Sequence, residues 1–237
     1  MIAPHVAATV MIARDTPSGI EVFMLRRSSR SAFMPDMFVF PGGRVESQDA
    51  GGEALAKLAG TLPPLDASCV YAAVRETFEE CGLLFATSII DAGALTAARV
   101  QLLAGGLTFA AALDALETRI DAGALRYFSR WITPPSEPRR FDTHFFVARA
   151  PANQAAQADA RETHDGLWIA PREALARSAA GAFALIFPTI KHLERVADFD
   201  SIDALLAFAA AKPIHTVMPV GDDRQGVAIP TALEGVW

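Results

Sequence analysis

Apolar residues recur along this chain with two different periods, and the change from one to the other outlines the fold. His5 to Ile12 and Glu21 to Arg26 are β-rich apolar runs joined by the turn-forming Asp15-Thr16-Pro17-Ser18-Gly19, which predicts a hairpin. Phe38-Val39-Phe40 reads as a short strand stopped by Pro41, with Gly42-Gly43 supplying backbone freedom behind it. Helical spacing takes over at about Ala67 and runs to Leu84, with Asp66 as N-cap. Residues 87 to 124 are rich in Ala and Leu at helical spacing and predict two or three further helices. Leu125 to Ile132, Thr143 to Arg149 and Leu167 to Ile169 are expected strands, interrupted by the loop Thr133-Pro134-Pro135-Ser136-Glu137-Pro138. Helices are expected from Pro171, over Pro188 to Ala197, and over Ile202 to Ala210, followed by an extended tail from Lys212 docked on the surface.

The helix over residues 67–84 carries the chemistry. At about 100° per residue, Glu76, Glu79 and Glu80 fall on one stripe, while Ala73, Val74, Thr77, Phe78, Cys81 and Leu84 project from the other side. The expected helix therefore buries one side and holds charge on the other. Like charges at these spacings repel, by about 0.2 to 0.5 kcal/mol per pair, and a divalent cation removes the penalty. Oxygen donors with no His or Cys on the same face favour Mg²⁺ or Mn²⁺ over Zn²⁺. Arg75 lies four residues before Glu79, where its fork can fix a carboxylate rotamer.

These residues also carry a resemblance. Phe40-Pro41-Gly42-Gly43, followed downstream by Arg75-Glu76-Thr77-Phe78-Glu79-Glu80-Cys81-Gly82-Leu83-Leu84, resembles the signature box of the Nudix hydrolases. The chain departs from that box in two ways. Asp49 stands in for the usual glutamate, and residues 50 to about 66 interrupt the spacer before Arg75, while Thr77 occupies a usually aliphatic position. An interrupted box of this form is similar to the subgroup containing the peroxisomal coenzyme A diphosphatase. Trp131-Ile132-Thr133-Pro134-Pro135, the stretch from Pro138 to Phe146, and Phe187-Pro188-Thr189 add to that likeness, which spans about residues 6 to 200.

The resemblance implies an α+β fold, the Nudix α/β/α sandwich with a mixed sheet, formed by residues 1–237 as one domain. Residues 50–66 would be an insertion in the box, and residues 87–124 an inserted helical subdomain beside the catalytic face. It implies Mg²⁺ (or Mn²⁺) held by Glu76, Glu79, Glu80 and the Gly43 carbonyl. Catalytic roles would fall to Glu79, Glu80 and Arg75, with Glu162 of a later loop, or Asp165 after it, as the base. Arg26, Arg27 and Arg30 follow the second strand and suit phosphate oxygens, as do Arg139 and Arg140; Asp142 could instead pair with one of the last two as a clamp. His144 is expected to be structural, and Trp131 and Trp168 to be core or pocket walls, with stacking on adenine the minor alternative for either. The implied reaction is hydrolysis of a diphosphate in a nucleoside-diphosphate-linked small molecule, with coenzyme A or acyl-coenzyme A preferred. ADP-sugar or dinucleotide pyrophosphatase activity is the alternative, and a ligand sensor without catalysis is the reading from another class. Dimers are frequent among proteins of this resemblance, so a homodimer is one expected assembly.

Composition narrows the rest. With 237 residues and 51% hydrophobic content the chain can bury a full core, and a formal charge of −6 argues against a nucleic-acid partner, which calls for a basic stripe. The two cysteines, Cys69 and Cys81, have neither C-x-x-C spacing nor a disulfide framework, which predicts packing thiols in a reducing compartment. Met1 to Arg14 lacks a basic stretch before its apolar run, and no run reaches the ~18 residues that span a bilayer, so no membrane role is expected and the cytoplasm is the simplest address.

Overall fold

A computed structural model of the protein describes residues 3–29, 34–159, 163–221 and 226–237. Strands β1 (His5–Thr16) and β2 (Gly19–Arg27) form the expected hairpin, closed tightly at Thr16 and Gly19. The side chains of β1 alternate into two cores. Ala8, Val10 and Ile12 face one, and Met11 and Ala13 face the other. A strand buried on both faces reads as a continuous apolar run, and that is what the sequence shows here.

Past the hairpin the two strands diverge, and the next segment fills the fork. Strand β3 (Phe38–Val39) pairs with the end of β2, and β4 (Gly42–Arg44) pairs antiparallel with the first half of β1, through Thr9 with Gly42 and Ala8 with Gly43. A 3-10 turn at Ser47–Ala50, a short helix α1 (Gly52–Ala56) and a two-residue strand β5 (Leu58–Ala59) lead to the long helix α2 (Ala67–Cys81). Asp66 caps α2 by accepting from the Ser68 N–H at 2.9 Å. The helix ends three residues before the expected Leu84, because Gly82 turns left-handed at φ 74° and its N–H closes on the Phe78 carbonyl.

Residues 87–124 form helices α3 (Ala92–Leu103) and α4 (Phe109–Ala115) and then strand β6 (Ile120–Asp121), which pairs in parallel with β5. The ring of Phe109 packs on those of Tyr71 and Phe78, which seats α4 on α2. Strands β7 (Arg126–Ile132) and β8 (Phe141–Arg149) follow, β8 running parallel to β1 from His5 opposite Phe141 to Ala13 opposite Arg149. Strand β9 (Thr163–Ile169) lies antiparallel on β2. Helices α5 (Pro171–Ala179), α6 (Phe187–Val196) and α7 (Ile202–Ala211) then cover the sheet face opposite α2, where Leu193, Val196 and Leu205 join Met11 and Met24 in the second core. The tail adds β10 (Thr216–Val217) beside β7 and buries Trp237 at its end against Trp131.

The result is an α+β sandwich: among the described residues, a mixed sheet of eight strands lies between α2 on one face and α5, α6 and α7 on the other. Among the described residues no helix is long and apolar enough to cross a membrane.

Candidate active site

Helix α2 is not open on its acidic side, as its sequence pattern suggested. Glu80 is 7% exposed and Arg75 5%, while Glu76 and Glu79 are half-buried. Strand β4 and the 3-10 turn close over this side of the helix, and the closure works because a guanidinium is enclosed with the acids.

Arg75 donates from Nε and Nη2 to the two oxygens of Asp49, at 2.8 and 2.9 Å. Its Nη1 donates to Glu76 Oε1 at 2.9 Å and to Glu79 Oε2 at 3.2 Å, and Nη2 also reaches the Arg44 carbonyl at 3.0 Å. Burial alone would lower the Arg75 pKa, but the Asp49 hydrogen bonds and the charges of Glu76 and Glu79 outweigh it and hold it raised. Asp49 itself is fully buried, and its Oδ2 also accepts the Glu46 N–H at 2.8 Å. The shortened acid at the expected glutamate position is thus the bidentate anchor of Arg75, a partner that a separation of 26 residues hides in the sequence.

Strand β4 lies against the acids. The Gly42 N–H donates to Glu80 Oε2 at 2.9 Å. A Cβ on Gly42, where φ is +151°, would fall 2.3 Å from the Ala8 carbonyl oxygen. A Cβ on Gly43 would fall 2.4 Å from Glu76 Cδ and 2.6 Å from each of its oxygens. Only glycine lets this backbone lie on the Glu76 carboxylate. Of the expected ligand set, Gly43 lies on Glu76, Glu76 and Glu79 share Arg75 Nη1, and Glu80 is held by the neighbouring Gly42 N–H. Among the described residues no three Asp, Glu, His or Cys side chains converge on a single point. The donors are all oxygen and mostly anionic, which fits a hard divalent cation.

Of the expected phosphate-binding arginines, Arg26, Arg27, Arg139 and Arg140 come to the same end of the sheet, at the end of β2 and the start of β8. Arg26 and Arg27 end β2, with Arg26 half-exposed and paired to Asp36 at 2.9 Å, and Asp165 of β9 stands 3.9 Å from it. Arg139 is exposed at the start of β8. Arg140 is buried and donates from Nε to the Thr133 carbonyl at 3.0 Å, pinning the loop before β8. The clamp expected between Asp142 and Arg139 or Arg140 forms elsewhere: Asp142 accepts Nε and Nη2 of Arg130 at 2.8 and 2.6 Å, because cross-strand neighbours on β7 and β8 are closer than residues along one strand. Glu162 and Arg30 lie outside the described residues.

His144 shares a row with Ala8 and Gly43 and meets the Tyr127 hydroxyl at 2.8 Å; burial, partly offset by the charge of Asp142, lowers its pKa. Cys69 and Cys81 are buried thiols pushed up to about 11 and about 12 by burial, which leaves them inert. Trp131 is core, packed on Phe187 and His192. Sequence reasoning missed Arg99, whose Nε and Nη2 both donate to the Glu79 carbonyl, at 3.2 and 2.9 Å. The available signal was its isolation as the one charged residue of α3.

A mixed sheet between helical layers, with a Gly-Gly strand pressed on an acid-rich helix, defines the architecture of Nudix hydrolases. Residues 54–196 match the family model described as the NUDT19 Nudix domain. The chain is 28% identical over 275 residues to the acyl-coenzyme A diphosphatase NUDT19 of Gallus gallus, covering 88% of this chain and 72% of that protein. It is 26% identical over 251 residues to the protein of the same name in Xenopus laevis, covering 85% of this chain and 66% of that one. The chain thus spans about two thirds of the length of these relatives. The crystal structure of a Nudix hydrolase from Alicyclobacillus acidocaldarius superposes with a TM-score of 0.78 at 29% identity, over 90% of this chain and all of that one. This chain belongs to the Nudix hydrolase family.

Proposed function

We propose that this enzyme cleaves the diphosphate of a nucleoside-diphosphate-linked small molecule, and that coenzyme A or its acyl thioesters are the preferred substrates. The observation that carries the reading is the Gly43 backbone seated on the Glu76 carboxylate, a contact that any side chain would abolish and that gathers oxygen donors where a diphosphate needs cations. The names of the relatives direct the choice of substrate to acyl-coenzyme A.

Glu76, Glu79 and Glu80, with the Gly43 carbonyl, would hold Mg²⁺ or Mn²⁺. When bound, such an ion would supply charge neutralisation at the non-bridging oxygens and would make a water there more acidic. Arg75 is spent on Asp49, Glu76 and Glu79, so its part is to position the carboxylates and not to touch the substrate. Arg26, Arg27 and Arg139 stand at the end of the sheet where the phosphates would lie. A base on the later loop, Glu162, or Asp165 within β9, would accept the proton of the attacking water. Catalysis is favoured over a binding-only role because a sensor has no need of three mutually repelling acids on one helix.

The test is a panel of coenzyme A, an acyl-coenzyme A, ADP-ribose, ADP-glucose, NADH and diadenosine polyphosphates, each with Mg²⁺ and with Mn²⁺ and with products resolved. Coenzyme A should give 3',5'-ADP and 4'-phosphopantetheine, with ¹⁸O from solvent in one product only. Glu79→Gln and Glu80→Gln should each lower turnover by about a hundredfold or more. Release of inorganic phosphate would overturn the mechanism, and brisk ADP-sugar cleavage with inert coenzyme A would transfer the reading to an ADP-sugar pyrophosphatase.

A further inference from the structure

The last turn of the acid-bearing helix is held from outside the sandwich. The final carbonyls of any α-helix lack partners within it and must find them elsewhere. In α2 the Glu79 carbonyl takes both Nε and Nη2 of Arg99, from the middle of α3, and the Cys81 carbonyl takes the Gln157 N–H at 2.9 Å. Arg99 is the only charged residue in α3, a helix otherwise composed of Ala, Leu, Val, Gly, Thr and Gln. It is half-buried, and a Cβ on Gly82 would lie 3.1 Å from its Nη1, so the guanidinium packs directly on the helix end.

The position matters because of what the gripped residue is. Glu79 places its own side chain on Arg75 Nη1 while its carbonyl is gripped by Arg99, so two guanidiniums fix one residue from opposite ends. Glu80, the next residue, is the acid that accepts the Gly42 N–H. A cation at a helix C-terminus is also favoured by the helix dipole.

We infer that Arg99 is a positioning residue for the metal-binding carboxylates, and that residues 87–124 serve the metal site through it in addition to any contact with substrate. The inference rests on the functional reading above, since it presupposes that Glu79 and Glu80 hold the cation. A residue that orients ligands from behind is worth about tenfold to a hundredfold in metal affinity or activity.

The experiment compares the wild-type chain with Arg99→Ala, Arg99→Lys and Phe109→Ala, the last a control that loosens α4 from α2 at Tyr71 and Phe78 while keeping both hydrogen bonds to the Glu79 carbonyl. Mn²⁺ binding is followed by electron paramagnetic resonance, alongside kcat, KM and thermal stability. Arg99→Ala should weaken Mn²⁺ binding and lower kcat by about tenfold or more, with KM within about threefold, and Arg99→Lys should recover much of both. Phe109→Ala should lower stability at least as much yet leave Mn²⁺ affinity near wild type. Wild-type Mn²⁺ affinity in Arg99→Ala, or equal loss of affinity in Phe109→Ala, would overturn the inference alone. A wild-type chain that binds no Mn²⁺ would overturn the functional reading and the inference with it.

Discussion

Removing the Asp49 carboxylate tests the enclosed charge cluster at its least replaceable point. Asp49 is fully buried, receives two guanidinium hydrogen bonds from Arg75 at 2.8 and 2.9 Å, and accepts the Glu46 N–H at 2.8 Å. In Asp49→Ala the Glu46 N–H and two N–H groups of a 5%-exposed guanidinium lose their acceptor together. Breaking one partner out of a buried pair costs about 3 to 5 kcal/mol. Glu76 and Glu79 still neutralise Arg75, which puts the expected loss at the lower end, about 3 kcal/mol. For a chain of this size that lowers Tm by roughly 6 to 12 °C, read by circular dichroism. Asp49→Asn retains one acceptor and should lose less. The variant should also need more metal, because an Arg75 released from Asp49 competes harder for Glu76 and Glu79, and Mn²⁺ titration reads this out. A Tm within 2 °C of wild type would refute the argument.

The two adjacent glycines should separate folding from chemistry. In Gly42→Ala the new methyl meets backbone, 2.3 Å from the Ala8 oxygen and 2.6 Å from Thr9 Cα, so denaturant titration should show a loss of several kcal/mol, about the range of a strained and overpacked core site. In Gly43→Ala the methyl meets the end of the Glu76 side chain, so stability should hold while turnover falls by about a hundredfold; the reverse pattern would refute the assignment. Acid should destabilise the fold through His192, which is buried neutral between the Pro188 carbonyl and the Ser129 hydroxyl and is pushed down to about 3 by burial. The unfolded chain takes up this proton below about 6.5 and the folded chain does not, so stability is full above that pH and falls by up to about 1.4 kcal/mol per pH unit as pH drops toward 3. His192→Gln should flatten the slope of stability against pH over that range, and an unchanged slope would remove His192 as its source.

The long helix and the hairpin were legible because each carries many residues at one period, with a cap or a turn at the boundary. Asp66 and Gly82 both sit where α2 begins and ends, although the apolar Leu83 and Leu84 drew the expected end too far. Strands of two or three residues, β4, β5 and β6 among them, contain too few positions to show alternation, and their existence depends on a partner far along the chain. The acids of the candidate site were legible from their spacing on α2. Their enclosure was not, because the stripe shows which side chains share a face and says nothing of what covers it. The same holds for Asp142, whose partner Arg130 is distant in sequence and adjacent across β7 and β8.

The pairing of β5 with β6 ties two stretches of chain that a linear reading treats separately. Arg119 donates to the carbonyls of Ala56 and Leu58, Lys57 pairs with Asp114, and the Ile120 N–H bonds to the Lys57 carbonyl. Neither stretch can therefore be shed alone. A descendant that lost residues 50–66 would leave Arg119 and the edge of β6 without acceptors, and one that lost residues 87–124 would strand Lys57 and free α2 from both Arg99 and Phe109. The two should be inherited as a unit, and chimaeras between distant relatives should fold only when both are exchanged together.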